Sequence, residues 1–453
     1  MRAGTTRGDR VKITQVLQST FRSLMCLVWP RCLLIFLFGC SMAGSSLVVY
    51  GGKPLPVKSR VDRAYFGFHA HRLVERHPGP ANGNQLSPWP DLPFGSWRLW
   101  DAYVAWPNLQ PQRGRWNFNT LDKYVDMADA AGVEILLPLG LSPTWASARP
   151  QEPSSYRPGN AAEPVNPNDW QLYVRTVAER YKGRIRQYEI WNEINLKGFY
   201  SGSLETLLDM ARIAYQEIKQ VDPEAILVSP SITGDGRNPE WLDRYLSMGG
   251  GQYADVIGYH FYVPAKAPEA MLPLVERVRA IMRKHGVGGK PLWNTESGWW
   301  IENLNPAARL GAAHESWKRL DQQAAVSYVS RALILGWASG VSRFYWYAWD
   351  NADMGLYDLY AGENKPAARA YARTASWLIG RRILGCAGSR GVWVCDLTDS
   401  ESRPAHIVWR EQDTVDFWSV PAAWKATVIE SLDGENGTVS RSIRLGWQPV
   451  LIR

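Results

Sequence analysis

The chain has 453 residues, 45% of them hydrophobic and 21% charged. That is the composition of an ordinary globular protein, with room for one large domain and a small one. The formal charge of +8 invites a nucleic-acid reading. Most of it sits in the first 31 residues, where Arg2, Arg7, Arg10, Lys12, Arg22 and Arg31 face only Asp9. The remainder carries no basic stripe interleaved with aromatics, so nucleic acid is excluded as a partner.

The aromatic content is unusual. There are 23 Trp and 20 Tyr against 11 Phe. A core built for packing alone would favour Leu, Ile and Phe. An excess of flat amphipathic rings suggests sugar-binding surfaces, although an aromatic-rich core gives the same count.

In chain order, the basic leader is followed by Cys32 to Tyr50, nineteen residues without a charge. As a helix this stretch would be about 28 Å long, close to the hydrocarbon thickness of a bilayer. Leu33 to Phe38 has the character of a signal-peptide core, and Ser41 to Ser46 offers small residues for cleavage. A cleaved signal and a retained anchor are both consistent, with the long basic flank favouring the anchor. Either one places the body of the protein outside the cytoplasm, in the periplasm or beyond. Residues 1–59 are therefore read as leader, anchor and linker.

From residue 60 short apolar runs alternate with helical patterns. Strands are expected at Ala64–Phe68, Gly95–Leu99, Val133–Leu139, Arg186–Trp191, Ala225–Pro230, Asp255–His260, Pro291–Thr295 and Ser342–Tyr347. Helices are expected at Leu121–Ala131, Trp170–Tyr181, Leu204–Val221, Pro268–Lys284, Gln322–Ala338 and Ala367–Ile379. Most have a capping residue before them and a glycine after them, such as Gly132, Gly183 and Gly340. Eight strands alternating with helices over residues 60–380 predict a (β/α)8 barrel. An open doubly wound sheet would need a glycine-rich phosphate loop after its first strand, and Phe66-Gly67-Phe68-His69-Ala70-His71 is not one. Long loops at residues 70–94, 140–167 and Gly298–Arg319 follow strands, which in a barrel puts them at the catalytic face.

Beyond residue 381 the texture changes to short alternating runs, as in Gly391–Cys395, His406–Trp409, Thr414–Trp418 and Pro449–Ile452, separated by turn signals at Asp433-Gly434 and Asn436-Gly437. This predicts a small C-terminal β domain, a sandwich, over residues 381–453. Asn436-Gly437-Thr438 also matches a glycosylation acceptor, but a turn accounts for it. Three of the five cysteines lie in the leader. Cys386 and Cys395 remain, either as a hairpin disulfide or as two buried thiols. No metal-ligand spacing occurs, so neither a metal nor another cofactor is expected.

The chemistry concentrates at two strand ends. Tyr188-Glu189-Ile190-Trp191-Asn192-Glu193 closes the fourth strand and Trp293-Asn294-Thr295-Glu296 the seventh. In a closed eight-stranded barrel those strands stand across the mouth from one another. Two carboxylates there can approach the ~5–5.5 Å separation of a retaining glycosidase. Taken alone, Asn-Glu after an apolar run could equally be a helix cap.

With these residues in place the chain resembles a retaining glycoside hydrolase of clan A, family 39 in particular, and within it the exopolysaccharide-associated branch. The resemblance rests on Trp97-Arg98-Leu99-Trp100-Asp101, Gly114-Arg115-Trp116-Asn117-Phe118, Pro143-Thr144-Trp145-Ala146-Ser147, Trp191-Asn192-Glu193, Thr295-Glu296 and Phe344-Tyr345-Trp346-Tyr347-Ala348-Trp349-Asp350. It departs from the family at Ile194, where proline is usual. The resemblance implies that Glu193 is the acid/base and Glu296 the nucleophile. It implies that Asn192 binds the sugar 2-hydroxyl, that Tyr262 hydrogen-bonds the nucleophile, and that Arg98 and His260 surround it.

A nearby cation and phenol would lower the pKa of Glu296, and a charged Glu296 would raise that of Glu193. Arg98 could instead be the structural partner of Glu189, because an inward carboxylate must be paired. His260 could be an ordinary core histidine. Trp100, Trp145, Trp299, Trp346 and Trp349 are candidate sugar platforms or simply packing. Asp101 and Asp350 could bind hydroxyls or cap helices, and His69 and His71 could line the cleft. The expected function is a monomeric, exported, retaining O-glycosidase on a β-linked polysaccharide, acting within the chain. A non-catalytic polysaccharide-binding barrel and a transglycosylase with the same glutamate pair are the alternatives.

Overall fold

The computed structural model describes residues 59–75, 85–305 and 317–453. The leader and the apolar stretch at Cys32–Tyr50 lie outside them, as do parts of two of the long loops. Among the described residues no helix is long and apolar enough to cross a membrane.

Eight parallel strands form one sheet: β1 (Phe66–Phe68), β2 (Ser96–Arg98), β3 (Glu134–Leu139), β4 (Gln187–Ile190), β5 (Ile226–Val228), β6 (Ile257–Tyr259), β7 (Leu292–Ser297) and β8 (Val341–Trp346). The order is β5-β4-β3-β2-β1-β8-β7-β6, with β1 paired to both β2 and β8. Parallel bridges Val228↔Val256 and Thr233↔His260 join the two edges, so the sheet closes into a barrel. Each strand falls inside or within two residues of its expected run.

Helices pack outside: α1 (Asn119–Ala131), α2 (Pro167–Arg180), α3 (Leu204–Val221), α4 (Pro239–Ser247), α5 (Met271–Lys284), α6 (Gln322–Ala338) and α7 (Pro366–Leu378). Two of the expected caps are in place, whereas α1 starts after Phe118 without a side-chain cap and α2 is capped by Asn166 rather than Asn168-Asp169. Ser203 accepts from Thr206 N, Asp321 from Ala324 N, and Gly132 ends α1 at φ 61°, a conformation open to glycine without a Cβ clash. Helix α4 is missing from the sequence expectation. Asp235-Gly236-Arg237-Asn238-Pro239 reads as a loop, yet Pro239 takes the first helical position, where its fixed φ and missing N–H cost nothing.

The barrel interior is layered. Leu136, Val228, Val256, Trp293 and Tyr345 form an apolar plug. Toward the strands' C-terminal ends the buried side chains turn polar: Arg98, Glu189, Ser231 and Thr295 are all fully buried. That change of layer marks where the barrel stops being core and starts being site.

After α7 the chain enters a six-stranded antiparallel sheet: Arg382–Ser389, Val392–Thr398, Pro404–Arg410, Val450–Ile452, Val428–Glu430 and Asn436–Thr438. A two-stranded layer, Asp416–Ser419 with Ser442–Leu445, packs on it through Val392, Val408, Ile443, Leu445 and Ile452. The result is a small sandwich. Asn436-Gly437 is not the turn expected from its sequence. It is paired strand opposite Val428–Glu430, and the turn falls earlier, at Gly434 with φ 89°. The sandwich covers α6, which is apolar on nearly all sides and needs a second wall. Ser327 of α6 donates to Trp447 O at 2.7 Å, and Trp409 Nε1 donates to Glu269 Oε1 at 2.9 Å.

Cys386 and Cys395 face each other on adjacent strands and are joined by a disulfide. A short closed loop of this kind stabilises by about 2–3 kcal/mol through the unfolded chain. Cys386→Ser/Cys395→Ser is expected to lower the thermal midpoint, and reductant should do the same to the wild type. A wild-type midpoint indifferent to reductant would show that the thiols are not bonded.

Candidate active site

At the end of β4 the backbone breaks its pleat. Trp191 and Glu193 both have left-handed φ values, 56° and 45°. Residues with a Cβ adopt this at a cost of roughly 1–2 kcal/mol each. The alternation of faces is lost as a result. Trp191 packs outward against Trp170 and Tyr200, and its Nε1 donates to Phe199 O. Asn192 and Glu193 both remain at the barrel mouth, where they line a cavity of about 590 Å³ with Glu296, Tyr262 and Tyr347. Glu193 and Glu296 are each 7% exposed, whereas Glu189 is wholly buried. An oxygen of Glu193, an oxygen of Glu296 and a ring nitrogen of His260 all lie within 4.8 Å of one another.

Arg98 holds the site together. Its Nε donates to Glu189 Oε2 at 2.6 Å, one terminal nitrogen to Glu296 Oε2 at 2.9 Å and the other to Asn192 Oδ1 at 2.6 Å. The two roles left open by the sequence, partner of the deep Glu189 and neighbour of Glu296, are both filled by one planar guanidinium. Glu189 receives a second bond from Ser231, which is itself bonded to Thr295. Asn192 therefore has its oxygen fixed from below, and its Nδ2 is a buried donor without a protein partner.

Glu296 accepts from Tyr262 Oη at 3.0 Å, and His69 lies 3.9 Å from its other oxygen. Burial raises the Tyr262 pKa well above its ordinary value, so the phenol keeps its proton and donates. The cation and phenol expected beside Glu296 are both there, but they do not set its pKa. Burial and then the charge of Glu193 push it well above the ordinary glutamate value, and Arg98 and Tyr262 only partly oppose them. The repulsion acts on Glu296 only while Glu193 is charged, so a proton on Glu193 removes it.

A pH dependence follows. A raised folded-state pKa means the native protein binds a proton more tightly than the unfolded chain. That stability is present below the ordinary glutamate value and is lost as pH rises through the raised one. Glu296→Gln carries no such liability. It is expected to melt with the wild type near pH 4 and above it at pH 8, as calorimetry across that range will show.

His260 stands among the groups around Glu296, with a ring nitrogen within 4.8 Å of one of its oxygens, and it is also bonded to Glu193. Its Nδ1 lies 3.0 Å from Glu193 Oε1. Burial first, and then Arg98, lower its pKa, while Glu193 opposes them, so the ring is neutral at neutral pH. A ring donating from Nδ1 to Oε1 leaves Oε2 of Glu193 as the oxygen that can hold a proton. The same cluster of Glu193, His260 and Glu296 has the donors of a metal site. The Arg98 guanidinium against Glu296 already supplies the positive charge there, and we read the cluster as acid–base machinery.

The tryptophans fall out differently. Trp346 is buried and stacks on Trp299, and Trp349 is buried against Tyr357 with Nε1 bonded to Pro88 O. Trp145 is pinned by Gln110 O and covered by Arg113, and it lines neither large cavity. These three candidates serve packing. The β8 side chain that reaches the cleft is Tyr347, one residue on. A strand's faces alternate, so an error of one residue moves a side chain from site to core. Trp100 lines the cleft as expected, and so do Tyr156 and Trp317, which the sequence did not single out. Asp101 accepts from Tyr156 Oη at 2.6 Å and Tyr347 Oη at 2.8 Å. His71 lines a neighbouring cavity. Asp350 accepts from His71 N, Arg72 N and Ser87 Oγ and so anchors the loop after β1, and it lines the same neighbouring cavity.

A (β/α)8 barrel with two facing carboxylates at the C-terminal ends of β4 and β7 is the architecture of the retaining glycoside hydrolases of clan A. Known proteins agree with that class. The sequence model of glycosyl hydrolase family 10 matches residues 101–229. A β-xylosidase of Caldicellulosiruptor saccharolyticus is 27% identical over 135 residues, 28% of this chain and 28% of that protein. An endo-1,4-β-xylanase C of Paenibacillus barcinonensis is 23% identical over 187 residues, 36% of this chain and 17% of that protein. The matched stretches are thus well under half of either relative. Among solved structures, a family 39 glycoside hydrolase from Bacteroides cellulosilyticus superposes with a TM-score of 0.63 at 17% identity, covering 79% of this chain and 75% of the other. A monomeric β-xylosidase from Caulobacter crescentus does so with a TM-score of 0.60 at 16% identity, covering 88% and 97%. The fold is that of these enzymes.

Proposed function

We propose that this chain is a retaining O-glycosidase. The observation that carries the reading is that Glu193 and Glu296 face each other at the barrel mouth with an oxygen of each within 4.8 Å, in keeping with the short separation of a retaining pair. Glu296 attacks the anomeric carbon as the glycosidic C–O bond breaks, and Glu193 gives its proton to the departing oxygen. Asn192 offers Nδ2 to the sugar 2-hydroxyl. Once Glu296 is an ester its charge is gone and Glu193 is ionised. Glu193 then takes a proton from water, the oxygen attacks the anomeric carbon, and Glu296 leaves as carboxylate.

The substrate is a β-linked polysaccharide cut within its chain, in keeping with the exopolysaccharide-associated branch that the sequence resembles. The names of the relatives make β-xylosides the first compounds to try. The protein works outside the cytoplasm, held there by its leader or released from it. The Cys386–Cys395 disulfide supports that placement. Incubation with 2,4-dinitrophenyl 2-deoxy-2-fluoro-β-xyloside, and with the glucoside, tests the reading. It predicts a covalent adduct on the peptide carrying Glu296. Turnover with inversion, or labelling elsewhere, would overturn it.

A further inference from the structure

A second cavity, of about 940 Å³, adjoins the catalytic one. Trp100, Asp101, Tyr156 and Tyr347 line both. Its own lining mixes rings with amides and hydroxyls, among them Tyr103, Asn108, Asn117 and Thr120. Its volume is within the ~300–1,000 Å³ of specific small-molecule sites. Rings beside fixed polar groups match a pyranose, which is apolar on its faces and polar at its edge.

The turn after β2 builds this wall. Asp101 and Tyr103 both have left-handed φ, 58° and 60°. Two non-glycine residues in that conformation within three positions are unusual, and such strain collects at functional sites. Asp101 is gripped by the hydroxyls of Tyr156 and Tyr347. Tyr103 stays 48% exposed, a large ring at the edge of the cavity instead of in the core.

Direction along the cleft follows from Glu193. The acid must touch the departing oxygen, so the leaving group lies on the β4–β6 side, by Leu196, Phe199 and Thr233. The sugar that becomes esterified extends away from Glu193, toward Asp101 and Tyr347. The larger cavity lies beyond those two residues.

We propose that this cavity is a binding site for the sugar units preceding the one esterified, with Asp101, Tyr156 and Tyr347 as the sill the chain crosses. The inference rests on the glycosidase reading and deepens it: the enzyme requires an oligosaccharide on the retained side of the bond. Asp101 accepts hydroxyls of the crossing units, and Tyr103 is a stacking platform.

The test is binding to the Glu296→Gln protein, read by titration calorimetry. The probes are xylose, xylobiose, xylotriose and xylohexaose, with the corresponding glucose and mannose β-1,4 series. Affinity in at least one series should rise at least about tenfold from one unit to three. Asn108→Trp, which fills the cavity from an exposed position, should remove that gain. Tyr103→Ala should reduce it several-fold. Equal affinity for monomer and hexamer, no binding of any oligomer, or a gain indifferent to Asn108→Trp would each overturn the proposal. The fluoroglycoside reagent separates the two claims. An adduct on Glu296 without a length effect sinks only the second site. A length effect without an adduct sinks only the glycosidase.

Discussion

Glu296→Ala is expected to lower kcat on an activated aryl glycoside by at least on the order of 10⁴-fold, about 5.5 kcal/mol of transition-state stabilisation. The nucleophile forms the bond that replaces the glycosidic one, and no neighbour can stand in. In the proposed reaction Glu193 serves the departing oxygen, and Tyr262 is held protonated by burial. Removing the side chain leaves room beneath the anomeric carbon, between Arg98 and Tyr262, for a small anion. Azide should therefore restore turnover and give the α-glycosyl azide, because only one displacement occurs. Glu193→Ala should behave oppositely. It should accumulate the glycosyl ester on substrates with good leaving groups, and azide should give the β-glycosyl product. Undiminished turnover by Glu296→Ala, or the same azide product from both variants, would sink the assignment of roles.

Arg98→Met should cost stability as well as activity. The guanidinium is fully buried and serves Glu189, Glu296 and Asn192 at once. Its loss strands Glu189 beneath the site with only Ser231 as donor. Breaking a buried ion pair by removing one partner costs about 3–5 kcal/mol. The urea midpoint should fall accordingly, and the folded fraction should lose most of its activity because Glu296 and Asn192 are no longer oriented. Arg98→Lys should not rescue it, since one ammonium cannot span three acceptors. A variant as stable as the wild type would show that Arg98 is dispensable to the fold.

The parts legible in the sequence were those set by local rules. Apolar runs gave all eight barrel strands, because parallel strands buried on both faces leave little room for polar residues. Caps, glycines and apolar periodicity gave six of the seven helices packed around the barrel. Helix α4 escaped because its start looks like a loop and only the space between β5 and β6 makes it fold. The glutamates were legible because each sits where an apolar run ends.

The rest depended on neighbours far apart in sequence. Trp346 and Trp349, which the sequence leaves open between sugar platform and packing, are core, while Tyr347 faces the cleft. Rotation about a strand end is fixed by packing against Trp299 and Tyr357, which no local pattern reports. His260 lies near both carboxylates, and its bond to Glu193 depends on the approach of two strand ends that no local pattern reports. The sign of the Glu296 shift was also decided by environment, because burial and Glu193 together outweigh the two donors that sequence reasoning placed beside it.

By itself the sequence determined that there are eight strands, that the fourth and seventh end in glutamate, and that an inward Glu189 needs a cation. Hydrophobic periodicity and chain spacing suffice for these. Only the tertiary structure decided that one arginine satisfies Glu189, Glu296 and Asn192 together, and that a left-handed turn at Asp101 and Tyr103 raises a wall between two cavities. Both depend on distances between β2, β4, β7 and β8 across the barrel mouth, and closure of the barrel sets those distances.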